Sequence, residues 1–325
     1  RPTDAPALSV TVDGVRTDFS PRAITAVVGP NGSGKTTLMG RIAGRLSGGE
    51  VSPEGADVVL LTQRPGLPPR STAVEAVAMV TRDKVPAQEL LAAAGLHELA
   101  DVPVPALSGG QAAHVALVRA LAARPAVLIV DEPLAAVDVK SAERWRRFLH
   151  AARADRTTLL VTHDALDIAH LAQDMLVMES GRVRAHGATA RLLEAPPTGF
   201  VAALAGLNRL EGTVTEIGAS AVEVACGDIT VLAATEHAPL ALGQKVAVTF
   251  DPHAATLGAA PEACNQWEAR VLAVEATSLA AAQLRVDLGG HEATVPVDRE
   301  FALGVKVGNV VSLTVSKANV FVHPN

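Results

Sequence analysis

The chain has no tyrosine, two tryptophans and six phenylalanines among 325 residues, so aromatics make up only 2% of it. Its cores must be filled by alanine, valine and leucine, and the aromatic platform on which single-stranded nucleic acid stacks is missing. Positive charge is short too: 28 Lys and Arg stand against 34 Asp and Glu, a net charge of −6. That balance gives no electrostatic basis for binding nucleic acid. The two cysteines, Cys226 and Cys264, lie far apart with no CxxC spacing and read as small apolar fillers. No apolar run approaches the ~20 residues that span a bilayer. The longest runs, such as AVLIV at 126–130, are strand length. With no charged, apolar and cleavable leader in view, the expectation is a soluble, cytosolic chain.

What remains is a globular composition, 49% apolar and 19% charged with 26 glycines and 20 prolines, long enough for two or three domains. GPNGSGKTT at 29–37 is its first chemical signature. The apolar, β-branched AITAVV at 23–28 reads as a buried strand, and TTLMGRIAGRL reads as a helix with Leu38, Ile42 and Leu46 four apart. Strand, GxxxxGK[ST], helix is the context of a phosphate-binding loop. Gly29, Gly32 and Gly34 let the backbone curl its N–H groups inward, with Pro30, Asn31, Ser33 and Thr37 completing the cradle. The helix N-terminus adds partial positive charge. Lys35 is placed to reach the β- and γ-phosphates, and Thr36 to offer a hydroxyl to Mg²⁺.

Such a loop needs an acidic partner. VLIVDEP at 127–133 ends an apolar strand on Asp131 and Glu132, and ligands gather at the carboxyl ends of buried parallel strands. Asp131 would hold the metal and Glu132 the attacking water, a division that suits phosphoryl transfer. LSGGQ at 107–111 then precedes a helical AAHVALVRALAA. Ser108 is a natural N-cap, Gly109 and Gly110 allow close backbone approach, and Gln111 follows. One nucleotide has no need of two cradles on one chain, so two copies are expected to meet head to tail.

Over residues 1–203 these motifs resemble the ATP-binding cassette (ABC) ATPases. The resemblance implies ATP and Mg²⁺ as ligands and extends to three further residues. Gln63, in LLTQRPGLPPRSTAVEAV, matches the Q-loop glutamine that touches the metal and water. Asp138, in DEPLAAVD, matches the D-loop across the dimer, and His163, in LLVTHD, matches the switch histidine at the γ-phosphate. Two departures stand out: Ala112, Ala113 and His114 follow LSGGQ where the family carries arginine, and the region ahead of Lys35 where the family places its adenine-stacking aromatic has none, Phe19 lying too close to Lys35 for that place. The stretch between Gln63 and Leu107 is too short for the coiled-coil arm of the repair members, and there is only one phosphate loop, which turns the reading to transport. A helical subdomain at about 66–125 would receive a membrane subunit. That implies a peripheral place on the cytoplasmic face of the membrane, two integral permease subunits and, indirectly, an extracytoplasmic binding protein.

The region 204–325 changes character. APPTG at 195–199 reads as a hinge, and short alternating segments beyond it read as strands. NRLEGTV at 208–214 parallels NQWEARV at 265–271, and 240–257 parallels 301–322 with Gly243 matching Gly308. The fold expected is therefore an α/β P-loop nucleotide-binding domain with a helical subdomain, followed by an all-β region of two small OB-like barrels. Tandem barrels behind an importer cassette resemble the molybdate and tungstate ATPases, with sulfate, ferric iron, polyamine and sugar importers as alternatives. The compact FSPRAITAVVG before the loop favours molybdate. Ser316 and Lys317, in SLTVSKANVFV, are candidates to grip an oxyanion, and such binding would throttle hydrolysis in a replete cell. The rival from another class is a cytosolic oxyanion sensor whose ATPase is a switch.

Overall fold

Two short segments open the first unit and pair as an antiparallel hairpin, β1 (Leu8–Val12) and β2 (Val15–Phe19). The structure, a computed structural model, describes residues 8–324 apart from 13–14, 63–65, 135–136, 138, 235–239, 259–263 and 279. The expected buried strand follows as β3 (Ile24–Val28), then α1 (Lys35–Ile42) after the glycine loop. This helix is shorter than its spacing predicts. Gly44, at φ 67°, turns the chain, and the N–H groups of Arg45 and Leu46 close on the Gly40 carbonyl. Leu46 is left half exposed with its side chain against Gly40.

β4 (Gly49–Ser52) completes a small sheet of order β2-β1-β4, and β5 (Val58–Leu61) leads to the helical part. There α2 (Ala73–Thr81) is closed by a Thr72–Glu75 capping box, α3 (Lys84–Ala93) is capped by Asp83, and α4 (Gly109–Ala122) follows Leu107 and Ser108. The remaining elements alternate: β6 (Val127–Asp131), α5 (Val139–Ala152), β7 (Thr157–Val161), α6 (Ala165–Leu171), then the hairpin β8 (Asp174–Glu179) and β9 (Arg182–Ala188). They build a six-stranded sheet of order β5-β6-β7-β3-β8-β9, parallel except for β9. Continuous apolar runs are what a sheet covered on both faces requires. In β6, Val127 and Ile129 join α1 and the small sheet, while Leu128 and Val130 join the helical side with Val115, Val118 and Trp145.

The chain divides into two units at Leu192/Leu193, ahead of the expected 203/204. Helix α7 (Thr189–Glu194) spans the boundary, and α8 (Gly199–Leu204) lies against β10 (Asn208–Ile217) of the second unit. The expected hinge is a fastened segment. The Arg209 guanidinium donates to the carbonyls of Pro196 and Pro197, and the Thr198 hydroxyl caps α8.

The repeat is visible in three dimensions. One half runs β10, β11 (Val222–Cys226), β12 (Ile229–Ala233), β13 (Lys245–Phe250) and β14 (Ala255–Leu257). The other runs β15 (Cys264–Ala276), β16 (Ala281–Leu288), β17 (His291–Asp298), α9 (Arg299–Gly304), β18 (Val310–Ser316) and β19 (Val320–Pro324). Each half gives its last strand to the other: β19 pairs with β13, and β14 with β18. The equivalent asparagines are reciprocal as well. Asn208 exchanges two hydrogen bonds with the Thr294 backbone, and Asn265 does the same with Leu232. One core, from Leu210 to Val320, therefore serves both sheets. Cys226 lies inside it, where burial pushes the thiol up to about 12; the side chain of Cys264 lies outside the described set.

Candidate functional site

Strand order assembles the site. β7 lies between β6 and β3, and Val161 is the register partner of both Val27 and Asp131. The loop after β3, the acids at the end of β6 and His163 after β7 therefore emerge side by side at one carboxyl edge.

The loop is built on glycine. Gly29, Gly32 and Gly34 have φ of 148°, 77° and 95°, where an L side chain is strained. A Cβ on Gly29 would sit 2.1 Å from the Met178 carbonyl oxygen, so β8 fixes the loop from below. Pro30, Asn31 and Gly32 are exposed at its tip, and Thr36 and Thr37 are exposed on the first turn of α1. That helix has no side-chain cap. Lys35 folds over the loop and donates to the carbonyls of Gly29 and Pro30 at 2.7 and 3.0 Å. Ser33 is 2% exposed, and its hydroxyl has no hydrogen-bond partner among the described residues. An uncapped helix start, glycines at positive φ and a buried hydroxyl unpartnered among the described residues fit a bound phosphate group.

The acids face this cradle. Burial, then the neighbouring Glu132, raises the Asp131 carboxyl above its ordinary range, and Lys35 opposes the shift. Lys35 is itself lowered by burial, with Glu132 and Asp131 acting against that. Glu132 takes φ 48°, unusual for a non-glycine residue. Its amide donates to the Val161 carbonyl at 2.9 Å, which holds it beside β7. His163 Nδ1 lies 2.9 Å from Glu132 Oε1. A carboxylate oxygen accepts, so this contact suits the tautomer in which Nδ1 donates. A Thr36 hydroxyl and an Asp131 carboxylate suit Mg²⁺, which uses one or two carboxylates plus substrate phosphates. Among the described residues no group of three or more metal-ligating side chains forms an all-protein cage.

LSGGQ lies elsewhere in the unit. Ser108 caps α4, accepting from the Gln111 amide, and the Gln111 side chain accepts from the Ser108 amide. Among the described residues no hydrogen bond joins this segment to the loop at 29–37. Gln63 and Asp138 fall outside the described residues. Ser316 and Lys317 sit where β18 enters a short turn, and the Ser316 hydroxyl accepts from the Ala318 amide.

Sequence reasoning missed the wall beside the loop. A cavity of about 680 Å³ opens there, lined by Val10, Val12, Val15, Phe19, Thr37 and Arg41 among others. Val10, Val12 and Val15 lie on β1 and β2, and nothing in their sequence pattern marks them for a ligand.

A family model described as ABC transporter matches residues 12–135, and a TOBE domain model matches 261–322. The Molybdenum import ATP-binding protein ModC of Mycobacterium tuberculosis is 36% identical over 59% of this chain and 60% of its own length. The chain thus spans about three fifths of that relative. The Sulfate/thiosulfate import ATP-binding protein CysA 1 of Chromobacterium violaceum is 33% identical over 96% of this chain and 93% of its own. A solved dimeric ATP-binding cassette bound to ADP and phosphate superposes with a TM-score of 0.51 at 23% identity. It covers 56% of this chain and 98% of that one, and shows the shared fold. The chain belongs to the importer-type ABC ATP-binding proteins. ATP with Mg²⁺ is the ligand pair of that family.

Proposed function

We propose that this chain hydrolyses ATP at the cytoplasmic face of a membrane, as the motor of an importer. Two copies would close over ATP beneath two integral permease subunits, with an extracytoplasmic binding protein delivering cargo. The observation that carries the reading is the convergence of Lys35, Asp131, Glu132 and His163 on one sheet edge, with Glu132 and His163 in hydrogen-bond contact. Lys35 would turn from the loop carbonyls to the β- and γ-phosphates. Glu132 orients a water and takes its proton, and His163 keeps that carboxylate in place while its Nε2 faces the γ-phosphate. Mg²⁺, held by Thr36 and Asp131 with Gln63, would neutralise phosphate charge when bound. The cavity walled by Val10, Val12, Val15 and Phe19 would offer the base an apolar slot beside the loop.

Glycine geometry favours the second copy. A Cβ on Gly109 or Gly110 would meet nothing within 4 Å, and neither residue has positive φ. Their own fold does not require them to be glycine; close approach of another chain's nucleotide does. A groove of about 390 Å³ lined by Leu61, Thr62, Gly66, Val80, Ala116 and Arg119, next to the Gln63 segment, is our candidate seat for the permease. Steady-state hydrolysis by the full chain and its Glu132→Gln variant tests the motor. The variant should bind ATP yet lose roughly 10²–10⁴-fold in kcat; unchanged turnover would overturn the assignment of Glu132.

For cargo we propose an oxyanion, molybdate first. The relatives named for molybdenum and for sulfate both support a tetrahedral dianion, although one named for spermidine/putrescine, from Thermobifida fusca, is also 36% identical. Within the second unit, the open cavity of about 660 Å³ between the repeats is unsuited to an anion, because Asp228, Glu268 and Asp287 outnumber Arg270. Ser316 and Lys317 remain the candidate. At the equivalent turn of the first repeat Asp251 takes the place of Ser316, which leaves one such position per chain. Calorimetric titration of the full chain with molybdate and with sulfate, repeated on Lys317→Ala, separates the cases. Molybdate binding that sulfate cannot match and that the substitution weakens supports the assignment; heat from neither ion removes it.

A further inference from the structure

The ATP site of this chain and its LSGGQ segment serve different nucleotides if two copies act together, so something within the chain must keep them in step. Helix α5 is placed to do so. It buries Ala142, Trp145 and Leu149 along one face, and three consecutive residues, Arg144, Trp145 and Arg146, each reach a different neighbour.

Trp145 is 2% exposed and stacks on His114 of α4, with ring centroids 4.5 Å apart and planes 26° from parallel. Phe148 meets the same indole edge-on at 5.6 Å. His114 lies little more than one turn inside the helix that Ser108 begins, so this stack sets where the LSGGQ end of α4 is held. Arg144 adds a long contact to the Gly95 carbonyl at the end of α3.

Arg146 reaches the other way. Its Nε donates to Asp167 Oδ1 at 2.7 Å, and the two side chains are only 15% and 5% exposed. A buried charge pair of this kind is costly to break from one side. Asp167 in turn brackets His163. Its amide donates to Asp164 Oδ1 at 3.1 Å, the Asp164 amide donates to Thr162 Oγ1 at 3.1 Å, and the Thr162 hydroxyl makes a long approach to Asp167 Oδ2 at 3.5 Å. Both residues flanking His163 are thus tied, through Asp167, to α5.

We infer that Trp145 and Arg146 are positioning residues that couple the LSGGQ helix to His163, so that a shift of α4 in response to the partner's nucleotide moves His163 against Glu132. The inference rests on the proposed ATPase reading. It departs from the arginine that the resemblance leads one to expect after LSGGQ: in this chain the histidine ring, not a cation's reach, makes the contact.

The test uses the full chain with Trp267→Phe, which leaves Trp145 as its sole tryptophan. Adding ATP·Mg²⁺ should change Trp145 emission, and Asp167→Asn should abolish that change while ATP still titrates with unaltered affinity. No emission change in the parent, or the same change in Asp167→Asn, would overturn the coupling. In kinetics, His114→Ala and Asp167→Asn should each lower kcat about 10-fold at unchanged KM, and the double variant should be no slower than the worse single one. Multiplicative losses in the double variant would show independent effects and overturn the inference. His114→Phe, which keeps a stacking ring, should recover the rate; a loss equal to that of His114→Ala would also overturn it. If the parent hydrolyses no ATP, the functional reading fails, whereas the emission change on nucleotide binding still decides the coupling.

Discussion

Two helices of the first unit begin at glycine-rich segments, and they meet the same physical problem in opposite ways. Any helix start leaves backbone N–H groups without partners. At α4 the chain answers from within, through the reciprocal Ser108–Gln111 box. At α1 it supplies no side-chain cap, leaves the Ser33 hydroxyl buried without a partner among the described residues, and folds Lys35 back over the loop's own carbonyls. The glycines divide the same way. Those of the loop are demanded by the fold, through positive φ and, at Gly29, the carbonyl of Met178. A Cβ on Gly109 or Gly110 would meet nothing within 4 Å among the described residues, and neither has positive φ. One helix start has no side-chain cap, while the other is capped from within the chain.

The largest effect expected from breaking this contrast is at Gly29. Gly29→Ala drives a methyl group into backbone that cannot yield, and should cost on the order of 3 kcal/mol or more by denaturant unfolding. A cost within experimental error would mean that the loop is free of β8. Ser108→Ala removes a cap and should cost about 1 kcal/mol. ATP protects the wild type by binding, and its protection of the variant should be undiminished if the cap belongs to the fold alone. The smallest effect has the opposite sign. Gly110→Ala places a better helix former in α4 and should raise stability by roughly 0.5–1 kcal/mol, yet lower ATP turnover if the second copy proposed above brings its nucleotide to this helix start. A stabilised variant with full turnover would remove the argument for a facing copy.

The site was legible in sequence because phosphate chemistry depends on local pattern. A strand, a glycine loop, Lys35 and Thr36 are contiguous, and Asp131 and Glu132 end a run that could only be a buried strand. The length of α1 was misjudged because its period continued through Leu46, whereas Gly44 at positive φ stops the helix. The hinge at 195–199 was misjudged for a different reason. Its composition is that of a loose linker, and only the Arg209 guanidinium, brought back on β10, fastens it. The valines of the cavity beside the loop gave no sign of their use, because an apolar wall for a ligand and an apolar wall for a core have the same sequence.

By itself, the sequence determined the elements that rest on short-range physics: which runs are strands, where glycine must turn the chain, which residues are candidates to hold phosphate and metal, and that 208–325 repeats itself. Tertiary structure decided what depends on partners distant along the chain. The order β6-β7-β3 brought His163 to Glu132. The reciprocal asparagines and exchanged strands turned two repeats into one core, and α5 set Trp145 on His114 and Arg146 on Asp167. Such contacts form where long-range packing puts two surfaces together, and no local pattern specifies which surfaces those are.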